Sequence, residues 1–428
     1  VEQAQIREHN ALTEHNAQWW NAAERAIDRC FEVSAISAMD GGIERIYLTP
    51  EHRKHNDLAA EWMRSAGLET FVDAAGTLHG VLASSMPDAP TLYLGSHLDT
   101  VPDAGKYDGI LGVTLAIEVA EYLCGKDLPF NLEVLAFADE EGVRFGATLL
   151  GSSAMAGQWN PDWWDIEDEN GITMRQAFVE FGLDPERIGE AAIDPAKTVG
   201  YLEAHIEQGP YLEADDQPLA VVTSIAGAQR LTFTVTGESR HAGGTPYEYR
   251  QDALVGASQM VLDIETIGRE HEVIATVGEL EVVDGAVNVV PGLVEFSLDL
   301  RAASDEARDS AFEAITESVR ATASARKLTV SWELNHSAST AYCAPHLQRV
   351  IAQGVAAALP TQPAVESVPH MYSKAGHDAM AMEKAVDVGM LFLRCKGGIS
   401  HNRHEDVRHD DVMAALAAFS RAVEALAK

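Results

Sequence analysis

Cysteine is scarce in this 428-residue chain: Cys30, Cys124, Cys343 and Cys395 stand far apart, with no CxxC pair. That usage points to a reducing compartment, the cytoplasm by default. Long apolar runs are missing too. No stretch approaches the roughly 18 consecutive apolar residues of a membrane span, and the opening residues Val1–Gln5 lack the basic start and apolar core of a signal peptide. Basic residues are the third deficit, 31 Lys and Arg against 66 Asp and Glu, for a net charge of -35. Such a surface repels phosphate backbones and anionic headgroups, so neither a nucleic-acid nor a membrane partner is expected. Bulk acidity does not make a cation site; that needs specific ligands.

What is present is ordinary globular composition, 46% hydrophobic and 23% charged, too apolar for a disordered chain. The length suggests two or three domains at roughly 150 residues each, enough to bury a core without a metal or disulfide staple. Helical spacing of Leu12, Trp19, Trp20, Ala23, Ile27 and Phe31 predicts an amphipathic helix over residues 1 to about 36. An α/β alternation follows: a helix over 55–66, a strand pair from Glu69 to Val81 broken at Gly76, a buried strand from Thr91 to Gly95, an apolar helix from Gly109 to Leu123, and a buried strand from Leu132 to Ala138. The Trp- and acid-rich stretch Trp159–Glu169 reads as a surface excursion.

From about Ser224 the pattern changes. Leu231–Thr236, Gly278–Val283 and Val294–Leu300 alternate as half-exposed strands, separated by helices over about 251–268 and 304–324. This predicts a small sheet with helices on one face. Helix and short buried strand then return at Leu347–Leu359, Met390–Leu393 and 410–427. The expected organisation is an α/β catalytic domain (1–223 and 337–428) interrupted by a smaller α+β domain (224–336).

Chemistry collects where apolar strands end. One strand runs into Gly95-Ser96-His97-Leu98-Asp99, and Asp108 follows His97 by eleven residues. Sites in open parallel sheets lie beyond the carboxyl ends of strands. His97 offers an imidazole nitrogen and Asp108 a carboxylate, a mixture suited to Zn²⁺ or Mn²⁺. Asp99 can receive the other ring N–H of His97 and fix its tautomer. A second strand ends in Asp139-Glu140-Glu141-Gly142, where one glutamate can bind metal while the other faces substrate. His205, in EAHIEQGP, and His401, in GGISHN, follow two further strands. An isolated acidic turn is usually just solvated and a lone histidine usually structural. Four polar strand ends in one domain are different: three imidazoles and two carboxylates can hold two metals if one carboxylate bridges.

The segments GSHLDTVPDAGKYDGILGV, ADEEGVRFG, EAHIEQGP, HAGGTPYEYRQDA, NVVPG, DLR, KAGHDA and GGISHN occur in order between about Leu48 and Asp406. With them the chain resembles the hydantoinase/carbamoylase family of di-metal amidohydrolases, in the larger group of aminoacylases and carboxypeptidase-G-like enzymes. The resemblance implies a di-zinc aminopeptidase-like catalytic domain carrying an inserted ferredoxin-like lid and dimerisation domain. It implies two divalent ions per subunit, zinc or manganese, with cobalt or nickel as further ions that N/O ligands accept. His97 and His205 would hold one ion, Glu141 and His401 the other, and Asp108 would bridge. Glu140 would be the general base, taking a proton from a metal-bridging water, and Asp99 its catalytic companion.

His241 would stabilise the oxyanion from the neighbouring subunit of a homodimer. Gln208, His241, Asn288, Arg301 and Gly376 would grip the substrate, Arg301 as a planar clamp on a carboxylate. The sequence departs from the family pattern at Gly244 and Tyr247, where Thr and Met are common, and at Lys374, where Gly is common; Arg394, Arg403 and His404 add cationic character near His401. The implied reaction is hydrolysis of a ureido or carbamoyl C–N bond in a small carboxylate, either allantoate or an N-carbamoyl-L-amino acid. Deacylation of an N-acyl amino acid or cleavage of a dipeptide is the alternative reaction, and a metal-binding scaffold without catalysis the alternative role. Glu140 argues against the scaffold, since a pure binder has no use for an unligated base.

Overall fold

Strands that are apolar on both faces build the larger sheet. In this computed structural model, which describes residues 2–359, 361 and 363–428, and of residues 2–16 only the backbone, the strands in chain order are β1 (Glu69–Val72), β2 (Leu78–Leu82), β3 (Thr91–His97), β4 (Asn131–Phe137), β5 (Thr198–Ile206), β6 (Leu219–Ile225), β7 (Gly227–Thr236), β8 (Arg240–His241), β9 (Ile274–Thr276), β10 (Leu280–Val282), β11 (Val289–Val290), β12 (Leu293–Ala302), β13 (Thr329–Ala338), β14 (Ala341–Tyr342), β15 (His370–Ser373) and β16 (Val388–Leu393). The sheet has the order β1-β2-β4-β3-β5-β16-β6-β14, with β15 beside β6. Its centre, β4-β3-β5-β16, is parallel, so four carboxyl ends meet along one edge; β2 and β6 flank it antiparallel. This is the mixed α/β class expected.

Both faces of the parallel strands must be covered. Helix Ile110–Leu123 has nearly every side chain buried, and helices Glu2–Ser34, Pro345–Ala358 and His409–Leu426 contribute to the same core. The helix near residue 55 starts earlier than its apolar pattern suggested, at Pro50, because Thr49 caps it by accepting the His52 N–H. Glu118 carries a carboxylate into the core and is met by Arg25 and, at 2.7 Å, by Arg29 of the first helix. That helix is present, and its expected Leu12 contact lies outside the described side chains. No described helix is long and apolar enough to cross a membrane.

The stretch Trp159–Glu169 is a surface segment as expected, exposed or half-buried at every position but Trp164, and it is anchored from beneath. Trp164, Met174 and Phe178 bury themselves with Tyr47, Leu48, Ala138, Phe145 and Leu150 in a small core of their own. The tryptophans do what their area dictates; Asp162, Asp165, Glu167 and Glu169 face water, while the Asp168 side chain is covered and pairs with Arg144.

The chain forms two compact units. The larger runs to Thr223 and resumes over Tyr342–Met371 and His377–Lys428; the smaller comprises Ser224–Ala341 and Tyr372–Gly376. The return to the larger unit comes five residues after the expected 336, because β13 continues to Ala338 and β14 follows. Gly376, expected in the 337–428 segment, belongs to the smaller unit. The smaller unit is an antiparallel sheet of order β10-β12-β7-β13, with β9 beside β12. Strand β12 alternates between buried and half-buried positions along its whole length. Helices Ala253–Glu270 and Asp305–Ala325, capped by Asp252 and Ser304, cover its apolar side, where Phe233 and Phe296 stack with ring centroids 5.0 Å apart.

One buried cation makes the fold sensitive to pH. His79 on β2 lies 2.6 Å from Glu133 and 3.3 Å from Asp73. Burial alone would lower its pKa, but the two carboxylates raise it to about 9. With the folded pKa above the ordinary 6.5, the contribution is full below about pH 6.5 and is lost as pH rises through 9, amounting to about 3 kcal/mol at most. We expect thermal stability to fall between pH 7 and 9.5, and His79→Gln to flatten that fall while lowering stability at pH 6.5. Parallel pH profiles for both proteins would disprove the assignment.

Candidate metal centre

Each parallel strand delivers its last polar residue to the same edge of the sheet. β3 ends at His97, the chain after β4 turns through Asp139–Glu141, β5 carries His205 as its penultimate residue, and β16 leads to the loop bearing His401. The turns are sharp: Asp139, Gln208 and His401 all have positive φ (59°, 58° and 51°), a conformation that stores strain at sites held by their surroundings. Gly109, at φ +74°, follows Asp108 and opens helix Ile110–Leu123; a Cβ there would stand 2.3 Å from the His97 ring, so only glycine lets that loop close over the imidazole.

Hydrogen bonds fix the direction of the ligand atoms. His97 Nδ1 lies 3.1 Å from the Asp99 carbonyl oxygen and His205 Nδ1 lies 2.8 Å from that of Ile206. Nδ1 donating to a carbonyl leaves Nε2 as the free lone pair. The Asp99 carboxylate faces the same nitrogen, its Oδ1 3.4 Å from His97 Nδ1, and it also accepts the backbone N–H groups of Glu140 and Glu141 at 3.1 and 3.0 Å. Asp99 ties the histidine strand to the acidic turn. Behind that turn, Arg144 donates to the Tyr47 and Leu48 carbonyls and pairs with Asp168.

Four sets of ligand atoms converge among the described residues, each within 4.8 Å: Glu203, His205 and His377; His97, Glu140 and Glu141; and two that centre on one carboxylate, His97, Asp108 and His205, then Asp108, Glu141 and His401. Asp108 belongs to both of the last two. His205 Nε2 is 3.2 Å from Asp108 Oδ1, and His401 Nε2 is 2.9 Å from Asp108 Oδ2 and 3.5 Å from Glu141 Oε1. Buried His205 Nε2 has no hydrogen-bond partner. Two ligands on a tetrahedral ion, each at about 2.1 Å, stand about 3.4 Å apart, so these side chains fit a pair of divalent cations. Glu140 groups with His97 and Glu141 and not, among the described residues, with Asp108 or His401.

Charges balance locally without an ion. Burial would raise the Asp108 carboxyl, but His205 and His401 hold it well below its usual range. Asp108 in turn pushes His401 up to about 9. Burial would lower His97, yet Asp99 and the two glutamates hold it well above 6.5. Glu141 rises to about 7 through burial and the nearby Asp108 charge, and burial lifts Glu140 well above the ordinary carboxylate value.

Gln208 joins this group, its amide nitrogen 2.8 Å from Asp108 Oδ2 and 3.3 Å from His401 Nε2. The other expected substrate residues lie in the smaller unit. His241 Nδ1 accepts the Gly244 N–H at 2.9 Å, Asn288 lends its carbonyl to the Ala242 N–H, and Arg301 pairs with Asp299 and donates to the Lys374 carbonyl at 2.9 Å, two residues before Gly376. The two arginines expected near His401 are neutralised: Arg394 is buried in a bidentate pair with Asp411 and a third bond to Asp216, and Arg403 pairs with Asp103.

Sequence reasoning did not single out Glu405, Glu203, His377 or Asp378. Glu203 accepts from Ser96 and from the Ala379 N–H, His377 sits edge-on to His205 with ring centroids 4.4 Å apart, and Asp378 is fully buried. The one available signal was the polar residue at the second-last inward position of β5, beside a histidine.

Residues 93–425 match the model of Peptidase family M20/M25/M40, and the chain belongs to that family of di-metal enzymes. It is 37% identical to an allantoate deiminase of Arabidopsis thaliana, over 94% of this chain and 82% of that protein. It is 36% identical to an N-carbamoyl-L-amino acid amidohydrolase of Geobacillus stearothermophilus, over 89% and 93%. A crystal structure of a hydantoinase/carbamoylase family amidase from Burkholderia ambifaria matches with a TM-score of 0.85 and 31% identity, covering 95% of this chain and 98% of that one. Within the family, then, the protein is an amidohydrolase of the hydantoinase/carbamoylase kind, a hydrolase of non-peptide C–N bonds.

Proposed function

We propose that the protein hydrolyses the ureido C–N bond of allantoate, releasing ammonia, carbon dioxide and ureidoglycine, with N-carbamoyl-L-amino acids as the second candidate substrates. The observation that carries this reading is Asp108 shared by two ligand groups beside an unshared Glu140. His97 and His205 would hold one ion, Glu141 and His401 the other, and Asp108 both; zinc and manganese suit the donor set best. Two such cations supply carbonyl polarisation and a lowered pKa for the attacking water.

The chain's own groups do the rest. Glu140 takes the proton of the attacking water and delivers it to the leaving nitrogen, and its burial favours holding that proton between the two steps. Asp99 keeps the Glu140 and Glu141 backbones in place. His241 donates to the developing oxyanion from the partner subunit of a homodimer. Gln208, Asn288 and Gly376 orient the ureido group, and Arg301 takes the carboxylate through its planar fork. The four cysteines are free, which supports a reducing, cytoplasmic setting.

The test is turnover by the metal-loaded protein, read as ammonia release on allantoate and several N-carbamoyl-L-amino acids and as release of acetate and free amino acid on N-acetyl amino acids. Allantoate should be turned over best, and preference for the N-acetyl compounds would overturn the ureido reading. Mixing inactive His241→Ala with inactive Glu140→Gln should restore activity once subunits exchange, since one mixed site has both residues intact. Mixed dimers, verified with two tags, that stay as inactive as their parents would remove His241 from its proposed place.

A further inference from the structure

Glu405 lies four residues beyond His401 and is almost wholly buried, with 3% of its surface exposed. Its Oε1 accepts the backbone N–H groups of Tyr107 and Asp108 at 2.7 and 3.1 Å. Its Oε2 accepts the Ser400 hydroxyl at 2.9 Å, and that hydroxyl lies 3.3 Å from Asp108 Oδ2. Its own N–H donates to the Asn402 carbonyl at 2.9 Å. The fit is tight, because a Cβ on Gly105 would stand 2.2 Å from Oε1. One carboxylate therefore joins the loop that carries Asp108 to the loop that carries His401.

That second loop needs a clasp. The His401 side chain is 48% exposed, whereas those of Asp108, His205, His97 and Glu141 are at most 10% exposed. His401 also holds a positive φ. Apart from the His401–Asp108 contact itself and the Gln208 amide that reaches both, the loops are linked by a surface ion pair, Arg403 to Asp103, and such pairs contribute little. His97 and His205, by contrast, are fixed by carbonyls of their own strand ends.

We propose that Glu405 is a positioning residue for the metal pair, holding Asp108 and His401 at the separation at which both reach one ion. It touches neither ion itself, and the proposal rests on the two-metal reading of the site. Losing it should weaken the ion held by Asp108, Glu141 and His401 more than the ion held by His97 and His205. Groups that orient ligands typically change metal affinity by roughly 10- to 100-fold when removed.

The experiment titrates metal-free protein with Co²⁺, following heat and the visible d–d spectrum, for wild type, Glu405→Ala, Glu405→Gln, Ser400→Ala and Asp108→Ala. Wild type should bind two ions and Asp108→Ala should lose tight binding. If those two proteins bind alike, the two-metal reading itself fails, whatever Glu405 does. Given two wild-type sites, Glu405→Ala should weaken the second ion about 10- to 100-fold. Glu405→Gln should stay within about threefold, because an amide oxygen still accepts both N–H groups and its NH₂ can donate to Ser400. Ser400→Ala, which removes one arm and cannot disturb the backbone bonds, should fall between them. A folded Glu405→Ala with both affinities unchanged overturns the proposal, and so does a Gln variant as weak as the Ala variant. If Glu405→Ala does not fold, Ser400→Ala decides: an unchanged second affinity overturns the clasp, and a selective loss supports it.

Discussion

Replacing Glu140 by Gln is expected to leave metal content intact and slow turnover roughly 10²- to 10⁴-fold, the range for a lost general base. The adjacent residue should behave oppositely. Glu141→Ala, like Asp108→Ala, is expected to lower metal occupancy, because Glu141 and Asp108 converge with His401 while Glu140 stands apart from both Asp108 and His401 among the described residues. The two glutamates are neighbours on one turn, and Asp99 grips both backbone N–H groups. Their roles diverge because Glu141 reaches the group with Asp108 and His401 while Glu140 reaches only that with His97 and Glu141 among the described residues. A glutamine amide in place of the Glu140 carboxyl keeps the size and hydrogen bonding of the acid and removes only its ability to take a proton. Metal analysis beside initial rates checks this. If Glu140→Gln empties the site, the two glutamates have been assigned the wrong way round.

Much of this site could be read from strand ends. β3, β4, β5 and β16 are buried on both faces, so their apolar runs are nearly unbroken, and the first polar residues after them mark the edge where a parallel sheet opens. His97, Asp108, Glu140, Glu141, His205 and His401 are legible for that reason, and the structure brings them together. Glu405 was not legible. One acid among 66 carries no period, and its partners Tyr107 and Asp108 are nearly 300 positions away. Arg394 misled for the same reason, since its bidentate partner Asp411 sits on the next helix. Asp99 was recognised beside His97, but its two backbone donors, Glu140 and Glu141, were not, because a backbone N–H leaves no trace in a sequence. The tryptophan stretch was legible as a surface segment but its anchor was not, because the burial of Trp164 depends on Tyr47, Ala138 and Phe145, three separate segments.

Removing the ions should abolish turnover without unfolding the chain, and it should expose a competition between metal and protons. The core around helix Ile110–Leu123 is built from apolar side chains that need no ion. The empty ligand set instead neutralises itself. Asp108 keeps His401 protonated up to about pH 9, and burial with the Asp108 charge keeps Glu141 partly protonated near pH 7. An ion needs both groups deprotonated. The sign follows: at pH 7 binding must expel at least the His401 proton, so apparent affinity should rise with pH by about tenfold per unit for each proton released, and level off above about pH 9. Calorimetry in two buffers of different ionisation enthalpy counts those protons directly, and circular dichroism of the stripped protein reports the fold. Added metal should also raise the unfolding temperature, since binding at 100 times Kd adds about 2.7 kcal/mol. Full activity in a rigorously metal-free sample would refute the two-metal site. Binding with no proton released at pH 7 would instead mean that His401 is neutral in the empty site and is not held by Asp108.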